Sequence, residues 1–303
     1  MAEFKTAKIR YRKTNFRKEA LNRIDVINEI LAEYGSGDKL SARQVYYRLV
    51  AGLHIENTVR SYKNLTNLLT DARYAGLIDW DVIEDRGREP TIWAEYDSIR
   101  ETVDRAMFGF RLPRWRNQPK YVELWVEKQA LAGVLEPIAA ESHVTLLVNK
   151  GYSSASAMKE AADRLIWRAS YGADELDEER EVIVLYLGDH DPSGEDMVRD
   201  IRVRLEEFGV ERLEVRKVAL TLEQVEQFNL PPNPAKTIDS RSPGYIAEHG
   251  DSSWELDAIP PRDFTRIVRN ALKAVTNQKL MNQVIAEEER QKLILGAVLK
   301  KIK

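Results

Sequence analysis

Between Arg17 and Tyr34 the apolar residues Leu21, Ile24, Ile27, Ile30 and Leu31 recur every three or four positions. That spacing predicts a helix, which Gly35-Ser-Gly37 ends. A second helix is predicted from Ser41, because Gln44 three residues on completes the pattern in which side chains satisfy two orphan amides. Val59 to Leu77 predicts a third, with Leu65, Leu68, Leu69 and Ala72 on one stripe. The run Ile78-Asp-Trp80-Asp-Val82-Ile83 suits a strand and wing. Three short helices followed by such a run predict a winged-helix domain, an architecture that places one helix in a DNA groove.

The pattern changes after a polar stretch over 84–120 that holds Pro90, Pro113 and Pro119, with a boundary expected near Arg111–Lys120. Tyr121–Val126, Val144–Val148, Val182–Leu187 and Leu213–Val218 are short apolar runs of strand type. Helical patterns separate them: Lys128 to Ser142, Ser153–Ala169 (Met158, Ala161, Ala162, Leu165 and Ala169 inward) and Pro192–Phe208. Strand alternating with helix predicts an α/β fold, a mainly parallel sheet covered by helices on both faces. From Pro260 onward a charged helical tail carries Phe264, Ile267, Val268, Ala271 and Leu272 as its buried stripe. No internal repeat is present. The expected division is a basic arm over 1–18, a winged-helix domain over 19–115, and an α/β domain with a helical extension over 116–303.

Composition narrows the functional classes. The 303 residues are 43% hydrophobic and 31% charged, enough for two ordinary globular domains. No stretch reaches the roughly 20 apolar residues that span a bilayer. The start, MAEFKTAKIRYRK, is basic but lacks the apolar core of a secretory signal. The absence of cysteine excludes disulfide scaffolds, thiolate metal sites and cysteine nucleophiles, and it suits a reducing compartment; a cytoplasmic, nucleoid-associated location is expected. Residues 1–120 carry 22 Lys and Arg against 17 Asp and Glu; the remainder carry 24 against 32. A basic front and an acidic back fit a front that touches a polyanion and a back that gathers carboxylates.

Those carboxylates lie where a parallel sheet places its chemistry. Glu127 ends the first strand, and Asp189 and Asp191 follow the third in Leu187-Gly-Asp-His-Asp-Pro-Ser-Gly194. Ligands of open α/β sheets bind at the carboxyl ends of strands. Crowded acids repel unless cations neutralise them, and hard oxygen donors without cysteine or clustered histidine favour Mg²⁺, with Mn²⁺ as a substitute. An Asp-x-Asp followed by Pro192 and Gly194 is also an ordinary way to turn into a helix. In the front half, Ala42, Val45, Tyr46, Leu49 and Val50 share one face of a helix. Tyr46 is therefore expected in the core, and Tyr47, one turn from Arg43, within reach of solvent or a ligand. A phenol, with a pKa near 10, needs a neighbouring cation to attack phosphate.

Glu127 and the Asp-x-Asp-Pro-x-Gly run two strands later resemble the Toprim domain shared by topoisomerases, primases and several nucleases, over residues 120–260. Leu147-Val-Asn-Lys-Gly-Tyr152 resembles the segment between those motifs in the A subunit of DNA topoisomerase VI, with Ser153-Ser154 where the family reads Pro-Asp. Arg43-x-x-Tyr46-Tyr47 upstream of a Toprim domain resembles the catalytic segment of the same subunits and of the related meiotic break-forming transesterase. The resemblance implies that Tyr47 attacks DNA, that Arg43 assists it, and that Glu127, Asp189 and Asp191 hold Mg²⁺. It further implies a homodimer on double-stranded DNA, in which the tyrosine of one protomer meets the metal site of the other. Arg73, in Asp71-Ala-Arg-Tyr74, matches a basic residue near the scissile phosphate. The chain is shorter than typical A subunits and contains nothing like the ATPase subunit that drives strand passage. That points to the reduced A-type proteins of mobile elements, with a separate ATPase as a partner still to be sought.

Other residues complete the candidate set. Lys150 and Lys128 lie near the expected metal site and can contact phosphate; Arg60, Tyr62 and Tyr74 can meet the DNA backbone or bases. Glu255, in Ser253-Trp-Glu-Leu-Asp257, is a further acid for the metal site, whereas His190 is expected to point away from the aspartates beside it. The expected function is Mg²⁺-dependent DNA cleavage that leaves a 5′-phosphotyrosyl link. Two alternatives stay open: a Toprim nuclease using water as nucleophile, and a DNA-binding regulatory protein with an inactive Toprim domain.

Overall fold

The structure, a computed structural model, describes residues 8–33, 39–80, 82–84, 94–149, 151–170, 180–234 and 242–299. Helix α1 (Lys18–Ala32) buries Ile24, Ile27, Ile30 and Leu31, the predicted stripe. A two-residue strand β1 (Leu40–Ser41) leads into α2 (Ala42–Ala51). Ser41 accepts from the Gln44 amide while the Gln44 side chain accepts from the Ser41 amide, so the predicted cap is present. Ser41→Ala removes one of these bonds from a buried helix end and is expected to lower stability by about 1 kcal/mol in urea unfolding. Helix α3 (Val59–Tyr74) buries Leu65, Leu69 and Ala72.

The predicted strand over 78–83 shrinks to β2 (Ile83–Glu84), paired parallel with β1 rather than in a hairpin. Residues 85–93, where a wing would turn, lie outside the described residues. The basic arm is partly docked. The amides of Tyr11 and Arg12 donate to Tyr74 O, Arg12 stacks over the Tyr74 ring, and Tyr11 meets Trp80 edge-on.

Helix α4 (Ile99–Gly109) precedes the sheet, which comprises β3 (Lys120–Val126), β4 (Thr145–Val148), β5 (Glu181–Leu187) and β6 (Leu213–Ala219). All four strands are parallel, in the order β4-β3-β5-β6. Helices α5 (Ala132–Ser142), α6 (Ala155–Ser170) and α7 (Pro192–Glu207) make the crossovers. Successive residues of β3 and β5 point to opposite faces, and both faces are covered. Trp125, Val184 and Tyr186 join Met158, Leu165 and Met197 of α6 and α7 in one cluster. Val122, Leu124, Ile183 and Leu185 join a second cluster, continuous with Val45, Leu49, Leu65 and Leu69 of the front helices. The apolar core thus runs through the boundary expected near residue 115.

The chain continues through α8 (Leu222–Gln227), an antiparallel pair β7 (Asn233–Pro234) and β8 (Ser252–Ser253), and α9 (Ser242–His249) between them. A 3-10 turn over Leu256–Ala258 precedes α10 (Pro261–Val275), which packs on α5 and β6, and α11 (Gln278–Leu299), which packs on α4. Phe264, Val268 and Leu272 of the predicted tail stripe are buried. Glu288 of α11, fully buried, accepts from the Leu112 amide and from Arg114 and Lys292, which ties the 111–114 connector to the tail. No helix among the described residues is long and apolar enough to cross a membrane.

Candidate functional site

The strand order sets the site. From β3 the chain steps one way to β4, then returns past β3 to β5 and β6, so the topological switch lies between β3 and β5. Val126 and Leu187 are partners in register, which places the residues following each strand side by side. Glu127 therefore meets Asp189: its Oε2 accepts from the Asp189 amide at 3.2 Å and from the Tyr186 hydroxyl at 3.3 Å. Asp191 caps α7, its Oδ1 accepting from the Gly194 amide at 2.7 Å. Gly194 is required here, since a Cβ would stand 2.2 Å from the Asp189 carbonyl oxygen. The turn and the acids are thus one structure, and the capping role weighed in the sequence is real for Asp191.

A second segment closes over these acids. His190 and Trp254 exchange backbone hydrogen bonds in an isolated bridge, and their rings stack. The bridge carries Glu255, Leu256 and Asp257 onto the strand ends, where the Leu256 amide donates to Asp189 Oδ1 at 2.8 Å. Lys128 Nζ lies 2.7 Å from Glu255, 2.8 Å from Asp189 and 3.4 Å from Asp257. Burial alone would depress this lysine; Asp257, Asp189 and Glu255 more than offset it and hold its pKa above the usual lysine value. Asp189 is pushed up to about 7, first by burial, against the pull of Lys128, with Glu127 adding to the rise. His190 turns away from the aspartates as expected and bonds Glu195. Burial would raise Glu195, but His190 and Lys217 hold it down, at about 2.

The tyrosine helix meets this cluster within the same chain. Tyr47, Arg43, Tyr46, Tyr62, Asp189, Asp191, Asn233 and Glu255 all line one cavity of about 410 Å³. Tyr47 is not on an open face: it is 4% exposed, because segments nearly two hundred residues away cover that side of α2. Its hydroxyl accepts from Asn233 Nδ2 at 3.1 Å. Burial pushes the phenol up to about 12; Glu255 adds to the rise, while Asn233, Arg43 and Lys128 oppose it. Tyr46 is buried as predicted, and its hydroxyl donates towards Asn57 Oδ1 and Thr58 O. Arg43 lies against the acids, its Nε 3.3 Å from Glu255 and 3.9 Å from Asp257. Its guanidinium also sits 5.6 Å from the centre of the Tyr62 ring.

Two candidates fall elsewhere. Arg73 is stacked on Trp80 at the far end of α3, about 16 Å along the axis from Tyr62 at 1.5 Å per residue, so one chain does not bring it to the cavity. Arg60 is exposed on the first turn of α3 and does not line the cavity. Lys150 lies outside the described residues. Two participants went unnamed as site residues in the sequence, Asn233 and Asp257; only the acid-bearing run around Glu255 signalled the second.

The donors suit a hard divalent ion in kind: they are carboxylates, and the buried oxygens of Asp257 accept no hydrogen bond from the described residues. Among the described residues no three such side chains converge as they stand, and the Lys128 ammonium contacts Asp189, Glu255 and Asp257. Compared with known proteins, the chain matches no family model and no curated protein.

Proposed function

We propose that the protein is a DNA-cleaving transesterase of the topoisomerase VI A type, with a winged-helix front and a Toprim back, and that each chain carries its own nucleophile and acids. The shared cavity carries this reading: Tyr47 and Arg43 of α2 line the same space as Asp189, Asp191 and Glu255. Glu127, Asp189 and Asp191, with Glu255 beside them, would hold Mg²⁺ or Mn²⁺. Such an ion neutralises phosphate oxygens and stabilises the charge that develops in phosphoryl transfer.

The chain's own groups supply the rest. Asn233 donates to the Tyr47 oxygen, which fixes a lone pair and leaves the phenolic proton free to go to an acceptor. With the pKa at about 12 the phenol is neutral before DNA binds, so attack needs that proton removed as the bond forms. The phenol oxygen bonds to phosphorus, the bond from phosphorus to the 3′ oxygen breaks, and the proton ends on the released 3′-hydroxyl. The product is a tyrosyl 5′-phosphate that preserves the phosphodiester energy. Arg43, beside the acids and the tyrosine, is placed to balance phosphate charge. Two chains on double-stranded DNA would cut both strands, and a separate ATPase would be needed to couple cutting to strand passage.

Plasmid incubated with the protein and Mg²⁺, then denatured with detergent, should carry protein on its 5′ ends; Tyr47→Phe should carry none. Nicking that survives in Tyr47→Phe would favour attack by water, an outcome with support in the raised phenol pKa. No metal-dependent cleavage by wild type would favour a regulatory DNA-binding protein, which accords with acids gathered around a lysine.

A further inference from the structure

Four carboxylates, Glu127, Asp189, Glu255 and Asp257, stand at the switch point with Lys128 and Arg43 as the cations against them. In formal charge, and among the described residues, Lys128 and Arg43 leave that group two negative charges in excess before Asp191 is counted, an excess that the raised pKa of Asp189 lessens. Buried excess charge is costly, and proteins neutralise it with a proton or a bound cation. Asp257 shows the imbalance most directly. The residue is 2% exposed, and neither of its carboxylate oxygens accepts a hydrogen bond from the described residues. Buried carboxylate oxygens are ordinarily bonded, so this pair is short of a partner. Its nearest cation is Lys128 at 3.4 Å, while the same ammonium approaches Asp189 and Glu255 closely. Lysine is a compact charge on a flexible stem, able to withdraw without unfolding the backbone that carries it.

We propose that Lys128 is the resident counter-ion of the divalent-cation site, and that Asp257 is one of that site's ligands, freed when the ammonium withdraws. The inference rests on the acid cluster being a metal site, as in the function proposed above, and adds two residues that the resemblance does not supply. Mg²⁺ and Mn²⁺ are the ions whose hard, oxygen-seeking chemistry fits the donors. Binding is then an exchange of one cation for another, so the lysine sets how tightly the metal is held.

Titrating full-length, metal-stripped protein with Mn²⁺, and following free Mn²⁺ by its EPR signal, reads this without any cleavage assay. Lys128→Met removes the competitor and should tighten binding about tenfold or more, whereas Lys128→Arg keeps the charge and should not tighten it. Asp257→Asn should weaken binding about tenfold, within the range for losing a group around a metal. Lys128→Met that binds Mn²⁺ no more tightly than wild type overturns the proposal, as does Asp257→Asn that folds normally and binds unchanged. If Lys128→Met is unfolded without metal, its refolding at Mn²⁺ concentrations that leave the wild-type melting temperature unmoved supports the exchange, and failure to refold refutes it. Tyr47→Phe should bind Mn²⁺ like wild type, so loss of the transesterase reading with this binding intact leaves the inference standing.

Discussion

Tyr47→Phe and Asp189→Asn chains, each inactive alone, are expected to form no covalent DNA adduct when refolded together. The first lacks the nucleophile and the second an acid of the switch point. If each site is built within one chain, no pairing of these two variants contains a complete set. Were the tyrosine delivered across a dimer, as the family resemblance implies, a mixed pair would unite Tyr47 of one chain with Asp189 of the other. One working site per mixed dimer would then nick one strand and attach protein to it. The single-chain expectation follows from contacts that already cross the molecule. Asn233 reaches Tyr47 at 3.1 Å, and Arg43 reaches Glu255 at 3.3 Å. Apolar packing supports the same arrangement, since the front helices and one face of the sheet belong to a single cluster. Detergent-denatured plasmid, probed for attached protein with wild type alongside, gives the answer. An adduct from the mixture, with neither variant active alone, would place the tyrosine in trans while leaving its chemistry intact.

The sheet was legible in the sequence because β3 and β5 are buried on both faces. Val182-Ile-Val-Leu-Tyr-Leu reads as a continuous apolar run, and Val122-Glu-Leu-Trp-Val as one broken only by Glu123, as strands of a parallel sheet do. Their adjacency was not legible. Whether Glu127 meets Asp189 depends on β3 lying beside β5 with Val126 opposite Leu187, and periodicity carries no information on strand order. The depth of Tyr47 was not legible for a related reason. Helical phase puts it off the main apolar face of α2, but the second covering layer comes from Asn233 and the turn over Leu256–Ala258. Asp257 escaped because two acids in a short polar run resemble any solvated loop. Only the bridge between His190 and Trp254 makes them part of the site. The strand before the expected wing differs for another reason: among the described residues of that run Ile83 pairs, and its partner is Leu40, from the strand that leads into α2.

Arg164→Met is expected to destabilise the fold by about 3 to 5 kcal/mol in urea unfolding, the cost of leaving a buried carboxylate without its charge partner. Glu123 lies in mid-strand on β3, fully buried beneath α6. Arg164 grips both its oxygens, with Nε at 2.8 Å and Nη2 at 2.9 Å. The Tyr121 hydroxyl and the Trp125 indole donate to the same carboxylate at 3.0 and 2.9 Å. These two neutral donors remain when the guanidinium is removed, which places the loss towards the lower end of that range. Replacing both partners by apolar residues of similar size removes the stranded charge as well, so Glu123→Leu with Arg164→Met should recover most of the loss. The hydroxyl of Tyr121 and the indole of Trp125 would then lose an acceptor, which limits the recovery by about 1 kcal/mol for each bond not remade. A single Arg164→Met costing under about 1 kcal/mol would mean that water reaches Glu123 in its place, and that the pair is no more than a surface ion pair. The double-mutant cycle therefore measures how dry this face of the sheet is, on the side away from the tyrosine helix and independently of any DNA chemistry at the strand ends.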